Sequence, residues 1–341
     1  MNQVTLMQIA EKLNISVSTV SKALKDYPDV SDKTKGLVKE LAKTLNYQPN
    51  AFAVNLRTKE SKTIGLIIPA IVHHFFSNVI KGILAQAEKK GYLVIILQSN
   101  ESYELEKKQI NLLLRQRVDG ILISIANTTR NFTHLSDVIT QGKPLVMFDK
   151  IAKILECSKV VIDDRKAAKD ATQHLIDTGC KRIAHFRGPL LSQNSIDRFL
   201  GYKEALEENN FSYDSSLVYI CECGDSSFEE GKFNAKKLLQ DHNDVDGVFI
   251  NTDLVAIGAL TAFAEMGIKV PDDISIVGFS NWFMSSVISP SLTTINQPGF
   301  EMGKAAFKQL YKELKQRKKS KTVVYEKIIL DTALVKRDST K

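Results

Sequence analysis

From about Thr63 onward the chain alternates short, almost wholly apolar runs with amphipathic stretches of helical period, and this alternation constrains the fold more than any other feature. The runs are TIGLIIP (63–69), YLVIIL (92–97), DGILIS (119–124), PLVMFD (144–149), KVVIDD (159–164), RIAHFRG (182–188), DGVFINTD (246–253) and ISIVGFSN (274–281). Helical segments such as NVIKGILAQAEKK, AAKDATQHLIDT, RFLGYKEALEEN and AIGALTAFAEM lie between most of them. A strand that is apolar on both faces must be covered on both faces, so this order predicts parallel sheet flanked by helices. The stretch is too long for one sheet of the mononucleotide type, and strand–helix units restart after Lys159. Two similar α/β lobes follow, roughly 63–160 and 161–290, with the last 50 residues left to complete both sheets. A chain of 341 residues has length for two or three domains and a sizeable core.

The first 46 residues follow a different pattern, that of three short helices. Thr5 followed by Gln8 makes a capping box, after which Leu6, Ile9, Ala10 and Leu13 recur at helical spacing. Asn14 suits the left-handed turn that ends such a helix, and Ser16 is the next N-cap, with Val20 and Leu24 facing inward. Ser31 caps a third segment with Leu37, Val38, Leu41, Ala42 and Leu45 on one side. Two helices joined by a turn as tight as LNIS match a helix-turn-helix. Pro49 then stops the third helix and Asn50 can cap another, so the chain divides into a head at 1–47, a linker at 48–62 and a body at 63–341.

Charge is distributed unevenly over these parts. The net charge is +7, but residues 1–62 carry 10 Lys and Arg against 6 Asp and Glu, and residues 311–341 carry 10 against 4. The middle, 63–310, carries 26 against 29. A basic module on a mildly acidic body suggests a polyanionic partner, whereas the tail cluster QRKKSK (316–321) reads as a solvated face. No run reaches 18 uncharged apolar residues, which excludes a spanning helix, and MNQVTLMQIA lacks the pattern of a secretory signal. The four cysteines, Cys157, Cys180, Cys221 and Cys223, show no CxxC spacing and read as reduced thiols. The expectation is a cytoplasmic protein without a membrane, metal or cofactor.

On the second helix Val17, Ser18, Ser21, Lys22 and Lys25 face away from Val20 and Leu24. Such a face suits the major groove: a lysine donates to guanine O6 and N7, and a valine touches a thymine methyl. In QPNAFAVNLRTKES (48–61), Ala53 and Leu56 lie three apart on a helix too short to be stable alone, one that would order against bound DNA with Leu56 as a minor-groove wedge. In the body, ligands of open α/β sheets bind beyond the carboxyl ends of the strands. Those ends carry His73–Phe76, Ser99, Ser124, Asp149, Arg187, Thr252–Asp253 and Ser280–Asn281, polar groups suited to a cleft for a small polar ligand. Enzyme readings fare poorly. There is no GxGxxG, no GxSxG and no HExxH, and GFSNW (278–282) fails at its last position.

These residues together resemble the LacI/GalR family of bacterial transcription regulators. Residues 4–69 look like its DNA-binding head and hinge. The segments FFSNVIKGILAQAEKKGY (75–92), RVDGILI (117–123), HFRGPL (185–190), NTDLVAIGAL (251–260), VPDDISIVGFSN (270–281) and SPSLTTINQP (289–298) are similar to its periplasmic-binding-protein-like effector domain. The resemblance implies a regulator, a repressor by preference, that binds a palindromic operator as a homodimer and is switched by a small polar effector, a sugar or sugar derivative. It implies base reading by Val17, Ser18 and Lys22, phosphate contacts by Thr5, Ser16, Thr19 and Ser21, and minor-groove contacts by Ala53 and Leu56, with Asn50, the cap of that helix, counted among the DNA-binding residues. For the effector it implies Phe75, Phe76 and Arg198, which join Ser124, Asp149, Thr252 and Ser280 from the strand ends, while Asp253 reads equally as a ligand contact or a brace. Lys22 departs from the commoner Arg, Ser280 from an Asp, and Ser226 from an aromatic, a ring that Trp282 could supply or could instead bury in the core. The remaining alternatives are a solute-binding protein without DNA function and a co-repressed regulator or activator of the same family.

Overall fold

The computed structural model describes residues 4–47, 60–222, 224, 226–319 and 322–341, in two compact units, Met1–Ser61 and Lys62–Lys341. Asn50, Ala53 and Leu56 therefore lie outside the described residues.

The smaller unit holds three helices, α1 (Leu6–Leu13), α2 (Val17–Ala23) and α3 (Asp32–Thr44). Both halves of the first capping box are formed: Gln8 N donates to Thr5 Oγ1 at 3.3 Å, and Thr5 N donates to Gln8 Oε1 at 2.9 Å. Asn14 takes the left-handed conformation (φ 50°) that closes α1, and Ser16 Oγ accepts from Thr19 N at 3.1 Å to open α2. Ile9, Ala10, Val20, Ala23, Val30, Val38 and Ala42 form the core. Leu37 departs from the expected stripe: it is 49% exposed, since only Val38, Leu41, Ala42 and Leu45 of that set turn toward the core.

The larger unit contains two six-stranded sheets. The first lobe is built from β1 (Thr63–Ile68), α4 (His74–Lys89), β2 (Leu93–Gln98), α5 (Tyr103–Arg115), β3 (Gly120–Ile123), α6 (Thr133–Thr140), β4 (Leu145–Phe148) and β5 (Ser158–Ile162). The second contains α7 (Asp164–Asp177), β6 (Ile183–Arg187), α8 (Gln193–Glu208), β7 (Val218–Ile220), α9 (Ser227–Asp241), β8 (Gly247–Ile250), α10 (Asp253–Glu265), β9 (Ser275–Ser280) and β10 (Thr293–Asn296). The chain then returns to the first lobe as α11 (Gly299–Lys318) and β11 (Lys327–Leu330), and crosses a last time to end in β12 (Ala333–Val335). Strand order is β11-β5-β4-β3-β1-β2 in one sheet and β12-β10-β9-β8-β6-β7 in the other. All pairings are parallel except β10 with β12, where Ile295 faces Leu334. The first crossover lies between Ile162 and Asp164, because β5 stays in the first sheet beside β4.

The tail beyond β12 is built into the second lobe. Ile276 N donates to the Ser339 carbonyl at 2.7 Å, Ser339 N donates to the Ser291 carbonyl at 2.9 Å, and Thr340 Oγ1 meets His174 Nε2 at 2.9 Å. One apolar cluster runs from Val79 and Phe307 in the first lobe through Ile162 to Tyr202 and Phe249 in the second. The outer faces carry their own clusters, around Leu113 and Leu135 in one lobe and Leu238 and Phe263 in the other. Among the described residues no helix is long and apolar enough to cross a membrane.

Helices α4 and α11 cover the first sheet side by side, and they meet at glycines. A Cβ on Gly303 would fall 2.0 Å from the Val79 carbonyl oxygen, and one on Gly82 would fall 2.1 Å from that of Phe300. The side chain can be added only by pushing the two backbones apart. Gly303→Ala is expected to cost about 1–3 kcal/mol, read as a lower urea midpoint with unchanged slope.

Candidate functional site

In the head, α2 presents the face singled out in the sequence. Val17 is 42% exposed, Ser18 and Lys22 are exposed, and Ser21 is half-buried at the edge of the core. Ser16 Oγ lies 2.7 Å from Ser18 Oγ and 2.8 Å from Thr19 Oγ1, so these hydroxyls form one cluster at the helix start. Thr5 Oγ1 is engaged as the cap of α1. Lys22 is not idle: its ammonium pairs with Asp29 in the loop after α2, and the carboxylate raises the lysine pKa while its own falls. Lys39 pairs in the same way with Asp26. The sequence reading missed both acids. They sit in KDYPD, directly after the helix, where an acidic pair beside a basic face was visible.

In the body, the carboxyl ends of the strands of both lobes open onto one cavity of about 380 Å³. Phe75, Phe76, Asp149, Arg198, Thr252 and Ser280 line it. Phe75 and Phe76 are buried and meet edge to face, 5.2 Å between ring centroids, at the start of α4. Asp149 follows β4 in a left-handed conformation (φ 56°). Its Oδ1 accepts from Gln297 Nε2 at 3.1 Å and its Oδ2 from Ser124 Oγ at 3.4 Å, and burial pushes the carboxyl pKa up. Arg198, on α8, donates through Nε to Asp164 Oδ1 at 2.8 Å and through Nη1 to the Asn251 carbonyl at 2.9 Å. Its guanidinium also lies over the Phe279 ring, 3.6 Å from the centroid. Burial raises Asp164 to about 7 against the opposing pull of Arg198. Thr252 caps α10, accepting from Val255 N at 3.4 Å, and Ser280 ends β9 at φ 119°.

Among the expected residues, His74, Ser99, Arg187 and Asn281 of the strand ends do not line the cavity, nor do Ser124 and Asp253. Ser124 is fully buried behind Asp149, which it braces. Asp253 turns away from the cleft and serves as a brace, its oxygens accepting from Trp282 N at 2.6 Å, Ser285 Oγ at 2.8 Å and Thr294 Oγ1 at 2.6 Å. Trp282 is half-buried and reaches the first lobe, its ring 6.3 Å from that of His74. The lining also includes His73, expected from the strand ends, and Glu101, Asn127, Lys150, Asn251 and Gln297, which the sequence reading passed over. Burial lowers His73 to about 4, so it is neutral at physiological pH. No group of His, Cys, Asp and Glu suited to a metal occurs among the described residues, where Cys157, Cys180 and Cys221 are buried and unbridged.

Comparison with known proteins points the same way for both units. Residues 5–50 match the model of bacterial regulatory proteins of the lacI family, and residues 172–340 match a periplasmic binding protein-like domain. The chain is 34% identical to the ribose operon repressor of Halalkalibacterium halodurans, over 99% of this chain and 97% of that one. It is 34% identical to the transcriptional repressor CytR of Escherichia coli, over 99% and 96%. A crystal structure of the lac repressor dimer bound to operator and an anti-inducer superposes with a TM-score of 0.86 at 26% identity, covering 99% of each chain.

Because Asp253 gathers three donors, its loss strands them together. Asp253→Ala is expected to destabilise the body by about 2–4 kcal/mol in urea unfolding, and Asp253→Asn to recover only part, since one amide oxygen cannot serve all three.

Proposed function

The chain belongs to the LacI family of bacterial regulatory proteins, and from that premise we propose that it binds a palindromic operator as a homodimer and releases or grips it according to a small polar ligand in the interlobe cavity. It is a DNA-binding transcriptional regulator, as its relatives are. The observation that carries the proposal is that one chain joins an exposed Val17–Lys22 helix face to a polar cavity between two lobes.

One helix-turn-helix reads too few bases alone, so pairing of heads across two half-sites one helical turn apart supplies the missing specificity. Val17, Ser18 and Lys22 read bases, Thr5, Ser16, Thr19 and Ser21 hold phosphates, and Ala53 and Leu56 serve the minor groove, with Asn50 beside them in the DNA-binding set. Phe75, Phe76, Asp149, Arg198, Thr252 and Ser280 hold the effector. A ligand that favours the closed lobes shifts the population of DNA-competent molecules only by its differential affinity, and a factor of about 100 between states corresponds to about 2.7 kcal/mol.

Selection from a random duplex pool is expected to yield a palindrome, with affinity falling roughly a thousandfold between about 50 and 200 mM salt if six phosphates are neutralised. No enriched sequence would leave a solute-binding protein as the better reading. Lys22→Ala is expected to relax choice at one or two base pairs per half-site, at about 1–3 kcal/mol, whereas Leu56→Ala should weaken operator far more than random duplex. Equal losses on both duplexes for both variants would refute these roles.

A further inference from the structure

Building on the reading of the cavity as an effector site, we infer that its ligand is uncharged, and that Glu101 enforces this by withholding Lys150. The charged side chains among the described lining residues are Glu101, Asp149, Lys150 and Arg198. Both cations are already answered. Lys150 Nζ donates to Glu101 Oε1 at 2.5 Å and to Asn127 Oδ1 at 3.0 Å. Arg198 is bound to Asp164, to the Asn251 carbonyl and to the face of Phe279. Asp149 is met by the neutral donors Gln297 and Ser124, so the lining carries two acids and two cations and neither cation is left without an acceptor. His73 adds no charge near neutral pH. Arg187 lies outside the lining, stacked over Phe199 at 4.3 Å.

A phosphate ester brings nearly two negative charges and asks for charge-assisted donors. It could take Arg198 only by stripping the buried Asp164 of its cation, and Lys150 only by breaking its pair with Glu101, which is a quarter exposed and lies at the same cleft as a like charge to the incoming phosphate. A hydroxyl meets no such conflict. It can donate to Asp149 and accept from a guanidinium with five N–H groups, of which one donates to Asp164 and one to the Asn251 carbonyl. Glu101 is also firmly placed. It follows Asn100 with both residues in the left-handed region (φ 50° and 55°), its Oε2 accepts from Asn127 N at 2.6 Å, and its carbonyl accepts from Thr128 Oγ1 at 2.7 Å. Two successive strained residues that aim an acid at the one lysine of the cleft make a selectivity device.

The test uses the full chain with matched pairs: ribose and ribose 5-phosphate, glucose and glucose 6-phosphate, cytidine and cytidine 5′-monophosphate, by thermal melting and then calorimetry. An uncharged member is expected to bind, with its ester about 100-fold weaker or more. Glu101→Gln should narrow that gap about tenfold by freeing the ammonium, and adding Lys150→Met should restore it. An ester that binds as tightly as its parent, an ester as the sole binder, a panel without an uncharged binder, or a gap unmoved by Glu101→Gln would each overturn the inference. An uncharged ligand that binds with the expected gap yet leaves operator retention unchanged would overturn the effector reading instead and leave the selectivity standing.

Discussion

The chain passes between the lobes three times, and two of those passages are fastened by charged groups of the cleft. Asp164 opens α7 just after the first crossover and is held by Arg198, while Gln297 lies on the second crossover and is bound to Asp149. Burial makes these contacts compulsory, because a carboxylate taken out of water must find a cation or hydrogen-bond donors. The same side chains therefore hold the lobes in register and face the cavity. A ligand that touches Asp149 or Arg198 touches a group already tied to the backbone segments on which the lobes turn.

Most of the architecture is legible in the sequence because doubly covered strands have no polar alternation to blur them. TIGLIIP, PLVMFD and DGVFINTD each stand out against the helical stretches beside them. The less legible strands are the weakly apolar and short ones. β7 is three residues at a sheet edge, β10 reads TTIN, and β12 pairs antiparallel at the rim, where only one neighbour defines it. The head is legible through its caps, since Thr5, Ser16 and Ser31 each receive the amide three residues on.

The site is legible in part. Strand-end reasoning finds Asp149 and Thr252 but cannot tell which way a side chain turns within one residue of the strand end. Ser124 and Asp253 turn inward to satisfy neighbours, and only the fold supplies those neighbours, Asp149 in one case and Trp282, Ser285 and Thr294 in the other. Lys150 stands one residue beyond the strand end that marks Asp149, and nothing in the sequence beside it signals a role in the cleft. In space its partner is Glu101, 49 positions away, and long-range pairing of that kind leaves no local signature.

The late return of the chain has a kinetic meaning. Helix α11 and strand β11 are integral to the first lobe, while β12, Ser339 and Thr340 close the second. Neither lobe can finish from the residues that precede 299, although each has most of its strands by then. During synthesis both must remain incomplete, with the α4 face uncovered and the β10 edge unpaired, until the residues from 299 to 340 have left the ribosome. Completion of the two lobes then becomes nearly simultaneous, which joins them in one maturation event rather than two successive ones.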